Sequence, residues 1–519
     1  MGKKQLVINL IANIISFSSS LLISFFLTPY LISTIGKEAY GFYPMANNFV
    51  GYLMIITLAL NSMASRFITI EIAKRNYSRA KEYFSSVFYS NVLLAFILSL
   101  PMAVIVYKIN SFLNVPSDLV NEVKLLFALV FIAMIITIFT SVFGVATFAK
   151  NRLDLKSYAE IVQGIIKISL YIALFSIFKP SLIFIGIVAV IQSLTNLLIQ
   201  VFFTKKLLPD FQLSLSYFDY RSVRELLASG VWNSFNSLGS QLLLGVTLLL
   251  TNIYVGASSA GELAIVQTMP HFISSIISML FSVFMPRITL VYAENSPGKL
   301  VDEVVFSQKV IGIMATMPIL LVIIFGTDFF SLWVPDQNAS RLQLLSILTL
   351  IPLVVHANMW TVYGLNIVLN KVKIPSLMLI VTGIVSILMS VSVLTFYIKS
   401  AYVVLIVSGI SNVLYYMGFI PMYASNQLRI KYYVLYNHLI KTLAFSILFV
   451  LTGIFFKSYI MINSWLEFFF WGGLFGVIGL LINAITILNR REFNKLVVIM
   501  KQQLLNRFIK TSEKKGDQK

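Results

Sequence analysis

The sequence contains no cysteine, which excludes disulfide bonds, thiolate catalysis and metal sites built on cysteine. Charged residues are also scarce: they make up 11% of the 519 residues, against about 25% in a soluble globular protein. Hydrophobic residues make up 58%, and the mean hydropathy is +0.88. So large an apolar surface needs lipid as its main solvent, which excludes a soluble enzyme, a DNA-binding protein and a disordered chain.

Long apolar runs dominate the rest of the chain, and each is long enough to form a helix across a bilayer. A membrane β-barrel would show alternating segments of about ten residues instead. The sequence therefore predicts an all-α, multi-pass membrane protein with about fourteen transmembrane helices. Their predicted cores are residues 6–31, 42–65, 84–107, 125–148, 157–178, 181–203, 227–255, 262–286, 305–327, 343–368, 374–398, 400–424, 438–456 and 465–488.

The distribution of Lys and Arg supports this number of spans. The chain has 39 of these residues and a formal net charge of +19. With fourteen spans, 31 of the 39 lie on the side of the membrane that carries both termini, and Lys167 alone falls inside a span. Because loops rich in Lys and Arg stay in the cytoplasm, both termini are predicted to be cytoplasmic.

A weak internal repeat appears when the chain is shifted by 220 residues. Both halves start on the same side of the membrane, as in transporters whose halves are related by an axis along the membrane normal. The matched pairs are Asn13 with Asn233, Ser16 with Asn236, Ser20 with Ser240, Gly36 with Gly256 and Gly41 with Gly261, and a shift of 221 aligns Arg66 with Arg287.

This repeat predicts two pseudo-symmetric six-helix bundles followed by two further helices. The predicted segments are an N-terminal bundle over 1–204, a cytoplasmic linker over 205–226, a second bundle over 227–424, two helices within 425–489 and a basic amphipathic tail over 490–519. The tail places Phe493, Leu496, Val497, Met500, Leu504 and Phe508 on one helical stripe. Such a helix is expected to lie on the anionic inner leaflet.

Two polar stripes are candidates for substrate contact. Asn13 and Ser16 share one face of the first span, and Asn233 and Asn236 repeat the pattern in the seventh, with Gln241 nearby. One interpretation is the wall of a water-filled cavity. The other is that these small polar side chains bond helices together. Six further intramembrane residues carry the same two interpretations: Asn91, Gln163, Gln192, Asn196, Asn358 and Asn366.

Three cations are candidate phosphate ligands. Lys167 lies near the middle of the fifth span, where a lysine costs about 2.5–3.5 kcal/mol on insertion scales. It either contacts water or an anion, or it snorkels to the surface. Arg66 and Arg287 lie at the cytoplasmic ends of equivalent spans. They indicate either a cationic vestibule that faces the cytoplasm or only the usual excess of positive charge at the cytoplasmic ends of spans.

Several motifs are absent from the sequence. It has no G-x-x-x-x-G-K-[ST] loop for a nucleotide, and its three histidines, His271, His356 and His438, have no metal-ligand spacing. No loop is large enough for a catalytic domain. We therefore expect neither an enzyme nor a cofactor or metal. The first span has no carboxylate, and Glu160 and Glu71, near the inner surface, are the nearest candidates for ion coupling.

The stretch from Leu27 to Gly41 resembles the opening of bacterial polysaccharide flippases of the Wzx type. Pro29-Tyr30-Leu31, Gly36 and Tyr40-Gly41 fill the positions of that family's motif. The wider superfamily also contains multidrug (MATE) antiporters and the lipid II flippase. The resemblance implies a MATE-like fold in a bacterial plasma membrane, with two bundles around a cationic cavity.

The resemblance also implies a function. The expected activity is alternating-access transport of a polyprenyl-pyrophosphate-linked oligosaccharide from the inner to the outer leaflet. The partners are that lipid, the membrane lipids and other polysaccharide-assembly proteins, with no nucleic acid. O-antigen, capsule, teichoic acid and exopolysaccharide precursors all fit. The alternatives are a cation-coupled drug or metabolite antiporter, which requires an intramembrane carboxylate, and a membrane glycosyltransferase or polymerase, for which no loop provides a site.

Overall fold

The computed structural model describes residues 3–294 and 296–494, and in these residues the chain is helical with no β-strand. Fourteen helices within these described residues are long and apolar enough to cross a membrane, which confirms the predicted fold class and number of spans. In chain order, spans 1 to 14 are Ile8–Ile35, Lys37–Ala73, Tyr77–Tyr107, Val120–Ala149, Leu153–Ile177, Leu182–Leu207, Tyr220–Val255, Ala257–Ala293, Pro297–Trp333, Ala339–Val368, Lys373–Phe396, Ala401–Leu428, Asn437–Lys457 and Trp465–Ile487.

Four spans are interrupted. Span 4 is broken after Thr140, and span 8 is broken between Val266 and Thr268. Spans 7 and 12 each contain a π-helical turn, at Gln241–Gly245 and Leu414–Phe419. Such turns widen a helix locally and are frequent at functional sites. Short helices outside the spans are Ile109–Phe112, Leu215–Tyr217 and Tyr432–Leu435.

We call the side of the membrane where span 1 begins the N side, which the sequence predicts to be cytoplasmic, and the opposite side the far side. By their contacts, the helices form two compact units. Unit 1 comprises Met1–Thr268 and Val372–Ser411, and unit 2 comprises the residues from Met269 to Lys371 and from Asn412 onward. This division does not follow the bundles expected from the repeat, whose boundaries at 204 and 227 stay a prediction.

Unit 1 is built on helix pairs. Span 1 packs along span 5, span 4 along span 6, and span 2 along both span 3 and span 7. Near the N side, a hydrophobic core joins spans 2, 3, 4 and 7. Its members include Leu60, Phe84, Val142 and Leu226, which are fully or almost fully buried.

The segment between spans 6 and 7 is folded against the helices of unit 1, to which it belongs. Phe211 belongs to the same core, and its ring packs edge-on against Phe84. The Arg79 guanidinium in span 3 binds Asp219 at 3.0 Å and Glu225 at 3.1 Å. Burial alone would raise the pKa of Asp219. Hydrogen bonds outweigh this effect and lower the pKa, and they come from the backbone of Arg221, the hydroxyl and backbone of Ser222 and the Arg79 guanidinium. The predicted linker is therefore a packed element.

Local backbone geometry repeats in the two halves of the sequence. Span 7 packs against span 11 as span 1 packs against span 5. Gly36 and Gly256, which the repeat aligns, have φ angles of +84° and +121° and precede spans 2 and 8. Asn151 and Asn370, after spans 4 and 10, have φ angles of +52° and +54°. Positive φ angles favour Gly and Asn. The backbone conformation of these turns therefore repeats in the two halves, as the residue types do.

Unit 2 centres on span 9, which packs against spans 10, 13 and 14. Its core includes Met317, Phe325, Phe445 and Phe449. Gly479 of span 14 allows a close approach, because a Cβ there would lie 2.2 Å from the terminal methyl of Met317. The predicted amphipathic helix of the tail falls mostly outside the described residues, which end at 494.

Candidate functional site

The polar stripe of span 1 lies beside span 5. The Ser16 hydroxyl donates a hydrogen bond of 2.6 Å to the Glu160 carboxylate, and Ser16 is buried. Asn13 is exposed. Lys156 also approaches Glu160, at 3.9 Å. Ser16 therefore joins two helices, whereas Asn13 makes no hydrogen bond among the described residues, and its place in a cavity wall stays a prediction.

Lys167 lies on the face of span 5 that contains Glu160. Residues 160, 164 and 167 follow the i, i+4, i+7 spacing of one helical stripe. Gly164, between them, packs under span 1, since a Cβ there would lie 2.5 Å from Cδ1 of Ile23. Lys167 is half-buried, and within the described part of the chain it makes no ion pair or hydrogen bond. An amine at this depth without a carboxylate partner is suited to bind an anion.

Three of the intramembrane amides meet around one pocket in unit 1. The Gln163 amide donates to Asn196 at 3.2 Å, and Gln192 donates to the backbone carbonyl of Gln163 at 3.3 Å. The cavity has a volume of about 280 Å³ and is lined by spans 2, 4, 5 and 6. None of its lining residues carries a charged side chain, and the polar ones include Asn47, Thr137, Gln163, Gln192, Ser193 and Asn196. We call this cavity the amide pocket.

The chemistry of the amide pocket favours neutral polar ligands. Each amide side chain offers both donors and an acceptor, and each hydroxyl offers one donor. Sugar hydroxyl groups have the same mixed character. A cation or an anion would find no opposite charge among the lining residues.

The remaining three intramembrane amides lie away from this pocket. Asn91, fully buried, donates to Asn61, to Ser141 and to the carbonyl of Ile138, and so connects spans 2, 3 and 4. In unit 2, Asn358 and Asn366 are buried and donate to carbonyls within their own helix. Asn91 therefore bridges helices, whereas the side-chain oxygens of Asn358 and Asn366 have no hydrogen-bond partner among the described residues, and the role of these two amides stays a prediction.

The predicted residues of span 7 lie at its contact with span 2. Asn233 donates to the Ser62 hydroxyl at 3.1 Å. A Cβ on Gly51 would lie 2.3 Å from Nε2 of Gln241, so these two residues touch. Asn236 is half-buried. Asn233 and Gln241 hold two helices together in this arrangement, and a role in substrate binding stays a prediction for all three.

The two repeat-related arginines differ. Arg66 is exposed and makes no ion pair within the described residues. Arg287 is bound by Glu303, 2.8 Å away, and Glu303 is 5% exposed. A carboxylate this close offsets the charge that Arg287 presents to an anion. Sequence reasoning missed Glu303, because it lies near the start of span 9, outside the aligned segments.

The motif glycine of span 2, Gly41, meets its repeat equivalent, Gly261, at the far side. A Cβ on Gly41 would lie 3.0 Å from the Cα of Gly261, and a Cβ on Gly261 would lie 2.3 Å from the Lys37 carbonyl oxygen. The Lys37 amine also binds the buried Glu262 at 2.9 Å. We call this group the far-side contact. Its two glycines are needed for backbone-to-backbone approach, and its ion pair was not foreseen from the sequence.

A second set of hydrogen bonds ties the same end of unit 1. The Asn252 side chain accepts from the backbone N–H of Asn114 at 2.9 Å, and the Asn114 side chain donates to the Asn252 carbonyl at 2.8 Å. Asn252 is fully buried near the end of span 7. The far-side ends of spans 2, 7 and 8 are therefore held by specific polar bonds as well as by packing.

Comparison with known proteins places this architecture in a family. The model of the family described as "Polysaccharide biosynthesis protein" matches residues 6–291, more than half of the chain. The chain belongs to this family. It is 28% identical over 396 residues to the uncharacterized membrane protein EpsK of Bacillus subtilis (strain 168), covering 75% of this chain and 77% of EpsK.

Solved structures share the fold at low sequence identity. An inward-facing multidrug resistance MATE family transporter of the MOP superfamily aligns with a TM-score of 0.67 at 12% identity, over 82% of this chain and 98% of that one. The lipid II flippase MurJ, in an inward closed conformation, aligns with a TM-score of 0.65 at 13% identity, over 92% of this chain and 98% of the MurJ chain. The MATE-like fold predicted from the sequence is confirmed.

Proposed function

We propose that this protein is a flippase that moves a polyprenyl-pyrophosphate-linked oligosaccharide from the inner to the outer leaflet of a bacterial plasma membrane. Membership of a polysaccharide biosynthesis family supports a saccharide cargo. The strongest support for the proposal is the combination of a cation and a neutral polar pocket in unit 1. The Lys167 amine, which makes no ion pair or hydrogen bond among the described residues, lies one helical turn from Gln163, which lines the neutral amide pocket.

These two features match the two chemical parts of the proposed cargo. The pyrophosphate is an anion, and Lys167 offers it a positive charge that no carboxylate among the described residues pairs with. The sugar is neutral and rich in hydroxyl groups, which the side chains of the amide pocket can bind. The prenyl chain needs no polar partner and remains in lipid.

The far-side contact supports an alternating-access mechanism. It closes the ends of spans 2 and 8 through Gly41, Gly261 and the pair of Lys37 with Glu262. In the proposed cycle, this contact opens when the headgroup is released outside. Outward movement of negative charge is favourable with an inside-negative potential, by about 2.3 kcal/mol per charge at 100 mV. The cycle therefore requires no coupling ion.

Cation-coupled antiport is the second candidate function, and Glu160 is the observation that favours it. This carboxylate binds Ser16 of span 1 and is the acidic group on the Lys167 stripe. A coupling role would require that the carboxylate bind and release a proton or cation in each cycle.

The test is to deplete the protein in its host and to measure polyprenyl-linked lipids by mass spectrometry. A strain blocked in chain initiation serves as the background if accumulation is toxic. We expect one lipid-linked oligosaccharide to accumulate and re-expression to reverse it. Unchanged polyprenyl lipids together with altered drug or metabolite efflux would reject the flippase and favour the antiporter.

A further inference from the structure

Unit 2 contains a second cavity, far from the amide pocket in sequence and formed by other spans. It has a volume of about 560 Å³ and lies where spans 9, 13 and 14 reach the N side. Its lining includes Lys309 of span 9, Asn437, His438 and Lys441 of span 13, and Arg491 after span 14. We call it the N-side cavity.

The charges in the N-side cavity are unevenly paired. Glu492 accepts two hydrogen bonds from Lys309, at 2.7 and 2.9 Å, and so offsets the charge of that lysine. Lys441 and Arg491 make no ion pair within the described residues. Asp302 is the other carboxylate in the lining, and it is exposed, as are Lys441 and Arg491. The cavity therefore keeps two unpaired cations.

His438 adds a buried polar group to the lining. It is 2% exposed, and neither ring nitrogen makes a hydrogen bond of ordinary geometry within the described residues, although the backbone of Asn358 approaches the ring. A buried polar group that lacks a well-formed hydrogen bond is unfavourable, and a ligand that bonds to it offsets that cost. It lies in the first turn of the 21-residue helix Asn437–Lys457, whose amino end attracts anions.

The cavity also has an apolar wall. Val301, Val305, Phe306, Val434 and Ile487 line it beside the charged groups. A soluble anion would gain nothing from these side chains, whereas the glycerol and acyl ends of a phospholipid would pack against them. Basic pockets between transmembrane helices on the cytoplasmic side are known to bind phosphate-bearing lipid headgroups.

We propose that the N-side cavity binds the phosphate of an anionic phospholipid, held by Lys441, Arg491 and His438. The recognised chemistry is a phosphate oxyanion, and the apolar wall assigns its source to a lipid rather than to free phosphate. This proposal does not depend on what the protein transports.

The test uses the purified full-length protein, stripped of lipid in detergent. Native mass spectrometry measures binding of phosphatidylglycerol, of zwitterionic phosphatidylcholine and of inorganic phosphate. The site variant is Lys441→Gln with Arg491→Gln. The matched control is Lys299→Gln with Lys371→Gln, which removes two exposed cations that do not line the cavity.

We expect phosphatidylglycerol to bind the wild type and the control equally well. In the site variant its dissociation constant should rise about thirtyfold, the fold-change that corresponds to about 1 kcal/mol for each of two cations. Equal binding by the site variant, or equal binding of phosphatidylcholine to the wild type, would overturn the proposal. Displacement of the lipid by inorganic phosphate of equal affinity would identify a soluble anion instead.

A measurement on the wild type keeps the proposal testable if the site variant does not fold. A photoactivatable phosphatidylglycerol is crosslinked to the protein, and the labelled peptides are identified by mass spectrometry. Labelling of residues 433–441 or 487–492 supports the site. Labelling confined to other segments would overturn it.

Discussion

Removal of the Lys167 amine should stabilise the protein and abolish its transport. A lysine at the bilayer centre costs about 2.5–3.5 kcal/mol, and Lys167 has no carboxylate partner among the described residues to offset that cost. Because the side chain is only half-buried, water relieves part of it. We therefore expect Lys167→Leu to raise the free energy of unfolding by about 1–2 kcal/mol.

The two effects are measured on the same variant. Thermal unfolding of the purified protein in detergent reports the stability, and growth of a depleted host carrying the variant reports transport at matched abundance. The matched control is Lys179→Leu, which removes an exposed lysine just beyond span 5 and should change neither property. Normal transport by Lys167→Leu, or a loss of stability, would refute the assignment of Lys167 as an anion ligand.

Three further predictions concern the other features of unit 1. Gly261→Leu should weaken the far-side contact by about 1–3 kcal/mol, because its side chain meets backbone, and should raise amide hydrogen exchange at the far-side ends of spans 2 and 8. Gly298→Leu, built into open space, is its control, and equal exchange in both variants would contradict the contact. Asn196→Leu should lower transport at nearly unchanged stability. Asn91→Leu should instead lower the free energy of unfolding by about 1–3 kcal/mol, because it leaves buried partners unsatisfied. The opposite pattern would make Asn91 the substrate contact and Asn196 the structural residue. Glu160→Gln should leave transport intact in the same growth assay. Loss of transport by this variant would favour the coupled antiporter.

The spans and the repeat could be predicted from the sequence because both depend on local patterns. Apolar runs set the length of each helix whatever its neighbours are. Gly36 and Gly256 were aligned by the repeat, and both adopt the left-handed backbone that this residue permits. A glycine can keep the same positive φ angle in both halves even when the surrounding apolar residues differ.

The partners of polar side chains could not be predicted in the same way. Asn91 and Asn196 are both amides inside apolar spans, yet one bridges three helices and the other lines a pocket. Helical periodicity gives the face on which a residue lies but not the helix that packs against that face. The pairs of Lys37 with Glu262 and Arg287 with Glu303 were missed for the same reason, since each joins two spans.

The central claim is that this chain moves a lipid-linked oligosaccharide across the membrane. The most direct measurement uses vesicles that contain the purified protein and a polyprenyl-pyrophosphate-linked oligosaccharide, with a glycosidase added outside. With the wild-type protein, the account predicts that the enzyme digests nearly all of the lipid. With Lys167→Leu or without protein, it should digest only the part that starts in the outer leaflet. Equal digestion in all three preparations would contradict the claim.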